Sequence, residues 1–529
     1  MQVLNSFLIG NWGDQILYIW YGWWIKNYTQ FSPNISQITL IGPPGTNPSF
    51  IHTQLFWDLI QRFFLLFFDS LAAYNLVLIL GFVLSLLVSY KFFHQKFSIS
   101  ISVCLTGMFV FSTYFFEQVK EHGELSQLWI VPLFFIILNK ILVERRFFKL
   151  ILYGLVIASL GLFSNYYGFF IVLTLGSSGL FYLVKYIKFK ELQNLVKIKN
   201  IFITLFICGV AFFIILFPYV KSYFNPQQNT NQSEYKLVRN YSDFFIFSSR
   251  PWYYVLPSIR NPSFGFLSKN ILERLQATHY FLFNNYFPEE HGGSFVGWVV
   301  IALFLYSLFN KRTRSNSHYY IFLIVILFLF SMPPFFTLLG VKIPTLGILV
   351  STFFKMFRTT ARLAIFILLL MLYVSGFTLT QIEKRLPQAV FILFLVLVLV
   401  FNVSQTYVPV RVTNVTKIPE VYSYILNNTN KDAIVVAYPD DARNLALFWM
   451  MFYQRRLINP RDYVINDFDS NKFTTALDTE AGLKKAKDLQ SNYLIVSKNT
   501  LPADILFFSS SSRIKLVKSF SDSYLYQLN

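Results

Sequence analysis

Apolar residues in this chain gather into long runs that recur along most of its length. The runs fall at about 71–93, 98–116, 125–143, 149–164, 165–187, 200–220, 294–309, 319–340, 360–381 and 387–406. Most approach the ~20 residues that carry a helix across ~30 Å of hydrocarbon, with 149–164 and 294–309 shorter. The pattern predicts an α-helical polytopic membrane protein of about ten spans. Residues 55–69 are apolar but interrupted by Asp58, Gln61 and Arg62, which predicts an amphipathic helix lying at the interface.

After residue 407 the pattern changes to short alternating stretches. It reads as strand Ala433–Tyr438, helix Asn444–Tyr453, a turn at Asn459-Pro460, helix Ala481–Leu489 and strand Tyr493–Ser497. A strand pair near Ile514–Phe520 and Tyr524–Leu528 follows. This is the signature of a small α/β domain. The chain thus divides into an outer loop with amphipathic helices over 1–70, a transmembrane domain over 71–406 that includes an outer loop 221–293, and the α/β domain over 407–529.

Charge then orients the spans. Lys91 and Lys96, then Arg145, Arg146 and Lys149, then Lys185, Lys188, Lys190, Lys197 and Lys199 fall in alternate connections. Lys311, Arg312 and Arg314, and finally Lys384 and Arg385, continue the alternation. Basic connections stay cytoplasmic, so the other set, which contains every long loop, is expected outside. One of these outer connections, 117–124, is acidic: Glu117, Glu121 and Glu124 against Lys120. The expected location is the cell membrane, multi-pass, with the soluble parts extracytoplasmic. An outside N-terminus needs a span before it, so an upstream signal-anchor helix is expected to be missing from these residues. The alternative is that 55–69 crosses, which would reverse the sides.

Composition narrows the class without changing it. Hydrophobic residues make up 55% and charged residues 13%, with a mean hydropathy of +0.49, too little polar surface to cover a soluble core of this length. The net charge of +19 sits largely in the short basic connections, where it suits anionic lipid, and no nucleic-acid module accompanies it. Cys104 and Cys208 both lie in apolar runs, which predicts buried thiols and no disulfide framework. The six histidines show no zinc spacing. Asp467, Asp469, Asn471 and Asp478 mimic a calcium loop, but Lys472 stands where glycine is needed.

Four stretches could carry chemistry. Asp14, in Asn11-Trp12-Gly13-Asp14, precedes an aromatic amphipathic segment on the outer face and could act as a general base; a helix N-cap is the bland alternative. Glu117, Glu121, His122 and Glu124 lie between two spans, where acids are costly unless they face water or a partner. They could serve as acid/base groups or hold a divalent metal, the one cofactor to consider, or form an ordinary solvated loop. Lys355, Arg358 and Arg362 put positive charge on the outer side, with the two arginines four apart on one face of an entering helix. A lipid-linked phosphate would account for them, as would snorkelling to lipid headgroups. Loop 221–293 carries Arg239, Asp243, Arg250, Trp252, Tyr253, Tyr254 and Arg260, then Glu289, Glu290 and His291. Arg250, Trp252 and Tyr253 suit sugar stacking and acceptor contact, although packing of an ordinary loop explains them too. His52 and the Gly42-Pro43-Pro44-Gly45 turn lie in the first outer loop, and that turn lacks the Lys-Ser/Thr of a phosphate loop.

Several of these stretches together resemble the GT-C glycosyltransferase superfamily of multi-pass proteins. The resembling pieces are Gly13-Asp14 through Ile19-Trp20 and Trp23-Trp24, Ala73-Tyr74-Asn75-Leu76, and His122-Gly123-Glu124-Leu125 before Trp129 and Pro132-Leu133. Ser164-Asn165-Tyr166-Tyr167, Phe357-Arg358 to Arg362, and the α/β tail complete them. The resemblance implies transfer of a sugar from a polyprenyl-phosphate carrier to a glycan, lipid or protein acceptor outside the cytoplasm. It maps the family's base onto Asp14, with Glu117 and Glu124 as further catalytic candidates. The donor phosphate and lipid would fall to Arg358, Arg362, Lys355, His122 and His52. The sequence departs from the family in having no span before Asp14. Two competing classes share the architecture: a transporter or flippase, and a non-catalytic polysaccharide-assembly protein. No paired broken helices in matching halves point to the first.

Overall fold

Each of the ten apolar runs forms a helix. The computed structural model describes residues 6–10, 13–28, 40–44, 54–224, 241–276, 292–338, 341–460, 464–465 and 468–529. Among the described residues seven segments are long and apolar enough to cross a membrane: Ser70–His94, Ile99–Gln118, Asn165–Phe189, Leu192–Ile215, Gly292–Phe309, Thr360–Glu383 and Gln388–Thr406. Three shorter apolar helices, Ile130–Ile141, Phe147–Phe163 and Ser317–Ser331, fill the remaining runs. The chain is an α-helical multi-pass membrane protein with a small C-terminal sheet region.

The burial pattern shows how the bundle sits in lipid. Helix Ser70–His94 leaves Ile79, Val83 and Leu87 exposed at a spacing of one helical turn and turns Ser85 and Ser89 inward. Such an apolar-out, polar-in helix is stable only against hydrocarbon. Helix Thr360–Glu383 is apolar all round and almost wholly buried, so it forms the centre of the bundle. Helices Phe147–Phe163 and Asn165–Phe189 meet where the Cα of Gly161 would lie 2.8 Å from any Cβ on Gly168. Small residues allow this close approach, the usual way membrane helices associate.

Two ends of the helices differ from expectation. The third helix begins at Ile130, not near 125, because 119–129 folds into a buried loop with its own hydrogen bonds. The run 319–340 is helical only from Lys311 to Ser331. Pro333 and Pro334 cannot continue it, and the chain turns into a hairpin pairing Phe335–Leu338 with Val341–Pro344. The interfacial helix spans Leu55–Leu65 with Trp57, Asp58 and Gln61 buried and Leu59 and Phe63 exposed, and exposed Leu66 and Phe67 follow it. At 11 residues it reaches about 16 Å, half the hydrocarbon thickness.

Contacts sort the connections into two ends. Ser98 bonds Glu383 at 2.7 Å, Asn310 bonds Gln381 at 2.8 Å, and Asn200 bonds the Ile141 and Glu144 carbonyls. These ties join basic connections to one another. At the opposite end the N-terminal segment meets the tail. Strand Phe7–Ile9 pairs antiparallel with Val412–Asn414, and Trp20 Nε1 bonds Met450 Sδ at 3.3 Å. Asn261 there caps the carbonyls of Ser404, Gln405 and Tyr407.

The tail forms a five-stranded mixed sheet in the order 514–519, 523–528, 493–497, 434–438, 456–457. The central pair is parallel, with Val436 opposite Leu494. Helix Asp440–Tyr453 starts earlier than expected, with Asp440 and Asp441 in its first turn complementing the helix dipole. A helix at Pro502–Ser510 was not foreseen; its proline stands in the first turn. Asp469 caps helix Ser470–Thr475, accepting from the Asn471 and Lys472 amides, a role that absorbs the calcium-like spacing. Both cysteines are free and buried.

Candidate functional site

The end opposite the basic connections brings together residues from five elements. Asp14 immediately precedes helix Gln15–Tyr28, and its carbonyl accepts from Leu17 N at 3.0 Å. It therefore stands at the N-cap position, yet its side chain is 46% exposed and points toward the 117–124 connection. Two glycines permit that approach. Gly10 has φ +117°, and a Cβ there would sit 2.5 Å from the Lys120 carbonyl oxygen. Gly123 lets the connection press on helix Ser70–His94, since a Cβ would lie 2.8 Å from the Tyr74 hydroxyl.

His122 links the site. Its Nδ1 lies 3.5 Å from Asp14 Oδ2, and its Nε2 lies 3.0 Å from Arg362 Nη2. A guanidinium can only donate, so Nε2 accepts and the imidazole proton sits on Nδ1, facing Asp14. Arg362 in turn stacks over the Tyr166 ring at 4.7 Å, and the Tyr166 hydroxyl bonds Thr359 Oγ1 at 3.2 Å. The three polar groups form a line from an exposed carboxylate through a neutral imidazole to a cation at the head of the central helix.

Arg358 and Arg362 do not share the face of one α-helix. Residues Thr360–Leu363 form a 3-10 turn and the α-helix starts only at Ala364. The backbone there bonds elsewhere: Ala361 N donates to the Phe247 carbonyl, and Thr360 Oγ1 to that of Ser331. Arg358 accordingly pairs with Asp243 at 2.9 Å and stacks over Phe247 at 4.4 Å. Lys355 is exposed among Phe353, Phe354 and Met356 and makes no ion pair among the described residues.

The two remaining acids have opposite surroundings. Glu117 is 0% exposed and well provided with partners: Ser258 Oγ at 2.6 Å, Arg260 Nη1 at 3.0 Å and Lys120 Nζ at 3.1 Å. It ties the 241–276 segment to the acidic connection. Glu124 is 6% exposed, and its Oε2 has no hydrogen-bond partner among the described residues. Burial pushes its carboxyl above the ordinary value; its own backbone N–H, Arg362 and a Tyr18 hydrogen bond oppose this, while the Asp14 charge adds to it.

Arg250 is buried, bonding the Tyr253 hydroxyl at 2.7 Å, and Tyr253 is buried with it, while Trp252 is half-buried. This group packs inside the same end. His52, Asn11, Trp12, Gly45, Arg239, Glu289, Glu290, His291 and Asp467 lie outside the described residues. Among the described residues no three His, Cys, Asp or Glu side chains are grouped to hold a metal. Sequence reasoning missed Tyr18, whose hydroxyl donates to Gln54 Oε1 at 2.7 Å beside Glu124, and the Asp243 partner of Arg358. The only signal for either was an aromatic or acid in a polar outer segment.

No family model and no curated protein matches this sequence. Solved structures do. The archaeal oligosaccharyltransferase AglB from Archaeoglobus fulgidus, determined with an inhibitory peptide and a dolichol-phosphate, is 13% identical at a TM-score of 0.50. The match covers 92% of this chain and 65% of AglB. The arabinofuranosyltransferase AftD from Mycobacteria is 11% identical at a TM-score of 0.54, covering 99% of this chain and 38% of AftD. The chain therefore spans about two thirds of the first relative and under half of the second. At these identities the likeness is one of fold alone.

Proposed function

We propose, from the GT-C fold and the Asp14–His122–Arg362 line at one end of it, that this chain is a membrane glycosyltransferase. It takes a sugar from a polyprenyl-phosphate-linked donor and gives it to a hydroxyl of an extracytoplasmic glycan, lipid or protein. The observation that carries the reading is an accessible carboxylate joined through one imidazole to a buried arginine. The basic connections at the far end favour placing this site outside.

In the proposed reaction Asp14 takes the proton of the acceptor hydroxyl. That oxygen forms a bond to the sugar C1, the C1–O bond to the phosphate breaks, and its electron pair leaves on the phosphate oxygen. Arg362 meets the developing charge, helped by Arg358 once Asp243 yields part of its hold. His122 orients Asp14 and Arg362 toward each other without itself adding charge. No step is routed through a metal. The dolichol-phosphate bound to AglB supports a lipid phosphate as the donor class.

The test is turnover by the purified protein in lipid nanodiscs with a panel of polyprenyl-phosphate hexoses and pentoses. Release of polyprenyl phosphate together with labelled acceptor is expected. A folded protein that turns over no donor in the panel, with envelope extract as the acceptor source, would speak for a transporter or an assembly factor.

A further inference from the structure

The basic end of the bundle carries charge that the reaction above leaves unused. Residues 185–199 hold five lysines, Lys185, Lys188, Lys190, Lys197 and Lys199, against one acid, Glu191, which accepts from Asn194 Nδ2 at 3.1 Å. In the 144–149 connection Lys149 has Glu144 at 3.6 Å. Lys185, Lys188, Lys190 and Lys197 instead make no ion pair among the described residues, and each rests on an aromatic ring. A ring face holds an ammonium without neutralising it. Lys190, with φ 57°, ends helix Asn165–Phe189, and helix Leu192–Phe224 packs back beside it. Lys185 Nζ lies 5.0 Å from the Phe181 ring and Lys197 Nζ 4.7 Å from the Tyr182 ring. Those two rings are 5.2 Å apart, and Tyr319 of helix Lys311–Ser331 packs on both, at 5.2 and 5.5 Å. The Tyr319 hydroxyl bonds Ser178 Oγ at 2.7 Å, so two helices fix the platform on which both lysines stand.

We propose that Lys185 and Lys197 bind the headgroup phosphate of an anionic phospholipid, in the leaflet opposite the Asp14 site. This lipid site is independent of the transferase reading. Two ammoniums on adjacent rings repel each other, and a phosphate shared between them relieves that repulsion. The surroundings favour a lipid over a soluble polyanion. Leu183, Val184 and Ile187 on one helix and Leu195 and Val196 on the other are exposed between the lysines. An apolar face that ends in lysines meets acyl chains and headgroup together. A nucleic acid or an acidic protein would leave those apolar side chains uncovered. Basic connections gather on the cytoplasmic side, and the leaflet there supplies anionic headgroups.

The test is native mass spectrometry of the purified full chain, titrated with phosphatidylglycerol or with phosphatidylcholine. Wild type is expected to bind phosphatidylglycerol more tightly, by roughly fivefold for each lysine engaged. Lys185→Gln combined with Lys197→Gln should lose that preference and bind phosphatidylcholine as before, and Lys185→Arg combined with Lys197→Arg should keep it. Equal affinity of the wild type for the two lipids overturns the proposal before any variant is made. A Gln pair that keeps the preference does the same. So does an equal loss in Lys384→Gln combined with Arg385→Gln, which takes the same charge from another basic connection and would mean general attraction only. Displacement of the lipid by millimolar inorganic phosphate would give the site to a soluble anion and overturn the lipid. Should the Gln pair fail to fold, each single Gln substitution is measured alone, with a loss of roughly fivefold expected and an unchanged preference in both counting against the site.

Discussion

Arg362, at the head of the central helix, donates to Nε2 of His122 at 3.0 Å. Arg358, four residues earlier, is held by the charged Asp243. An ion pair of this kind has already used part of the Arg358 charge before an incoming anion arrives.

This contrast ranks the two arginines. Arg362→Ala should raise the donor KM by about ten- to a hundredfold, the loss of one charge-assisted hydrogen bond of roughly 1.5–3 kcal/mol. Arg358→Ala should raise it less. Lysine at 362 should rescue only in part, since it lacks the planar fork that stacks on Tyr166. Wild-type donor kinetics in the double alanine variant would remove both from the phosphate site.

Glu117 should behave as a structural ion pair. It is fully buried against Lys120, which is itself buried, and Arg260. Glu117→Gln removes the carboxylate that Lys120 Nζ and Arg260 Nη1 share and should cost about 3–5 kcal/mol of stability. The check is unfolding of the purified variant. Unaltered unfolding together with lost transfer would move the base role to Glu117.

Sidedness follows from the two ends of the bundle. Cysteines placed at Ser242 and Ser512 should react with a membrane-impermeant reagent applied to intact cells. Cysteines at Lys188 and Arg312 should react only after lysis. Labelling at Lys188 from outside would invert the map.

Stability should depend on pH through Glu124. Its folded-state carboxyl lies above the ordinary value of 4.5, so the native state holds the proton more tightly than the unfolded chain. That contribution is full below 4.5 and is lost as pH rises through the folded-state value. Glu124→Gln has no such loss. The melting temperature of the variant relative to the wild type should therefore climb as pH rises, and a gap that does not change with pH would contradict the burial argument.

The helices were legible because lipid tolerates few alternatives: a run such as 388–406 has nowhere to place its polar backbone except inside a helix. The ends were less so. A hydropathy run does not say that 119–129 folds into a buried loop, or that Thr360 and Ala361 bond to Ser331 and Phe247 in place of their own turn. The four-residue spacing of Arg358 and Arg362 therefore pointed to a shared face that does not exist. Asp14, His122 and Arg362 were each singled out, but they stand on separate elements, and no period links them. Glu117 and Glu124 look alike in sequence. Only the neighbours distinguish them, three donors around one and a bare oxygen on the other.

The central claim is that Asp14 is the general base. It stands at a helix N-cap position, where asparagine serves about as well as aspartate. The direct measurement is the transfer rate of purified, monodisperse Asp14→Asn protein in nanodiscs at saturating donor. The account predicts wild-type folding and a rate lower by about 10²–10⁴-fold, the usual worth of a positioned base. Full transferase activity in that variant would contradict it.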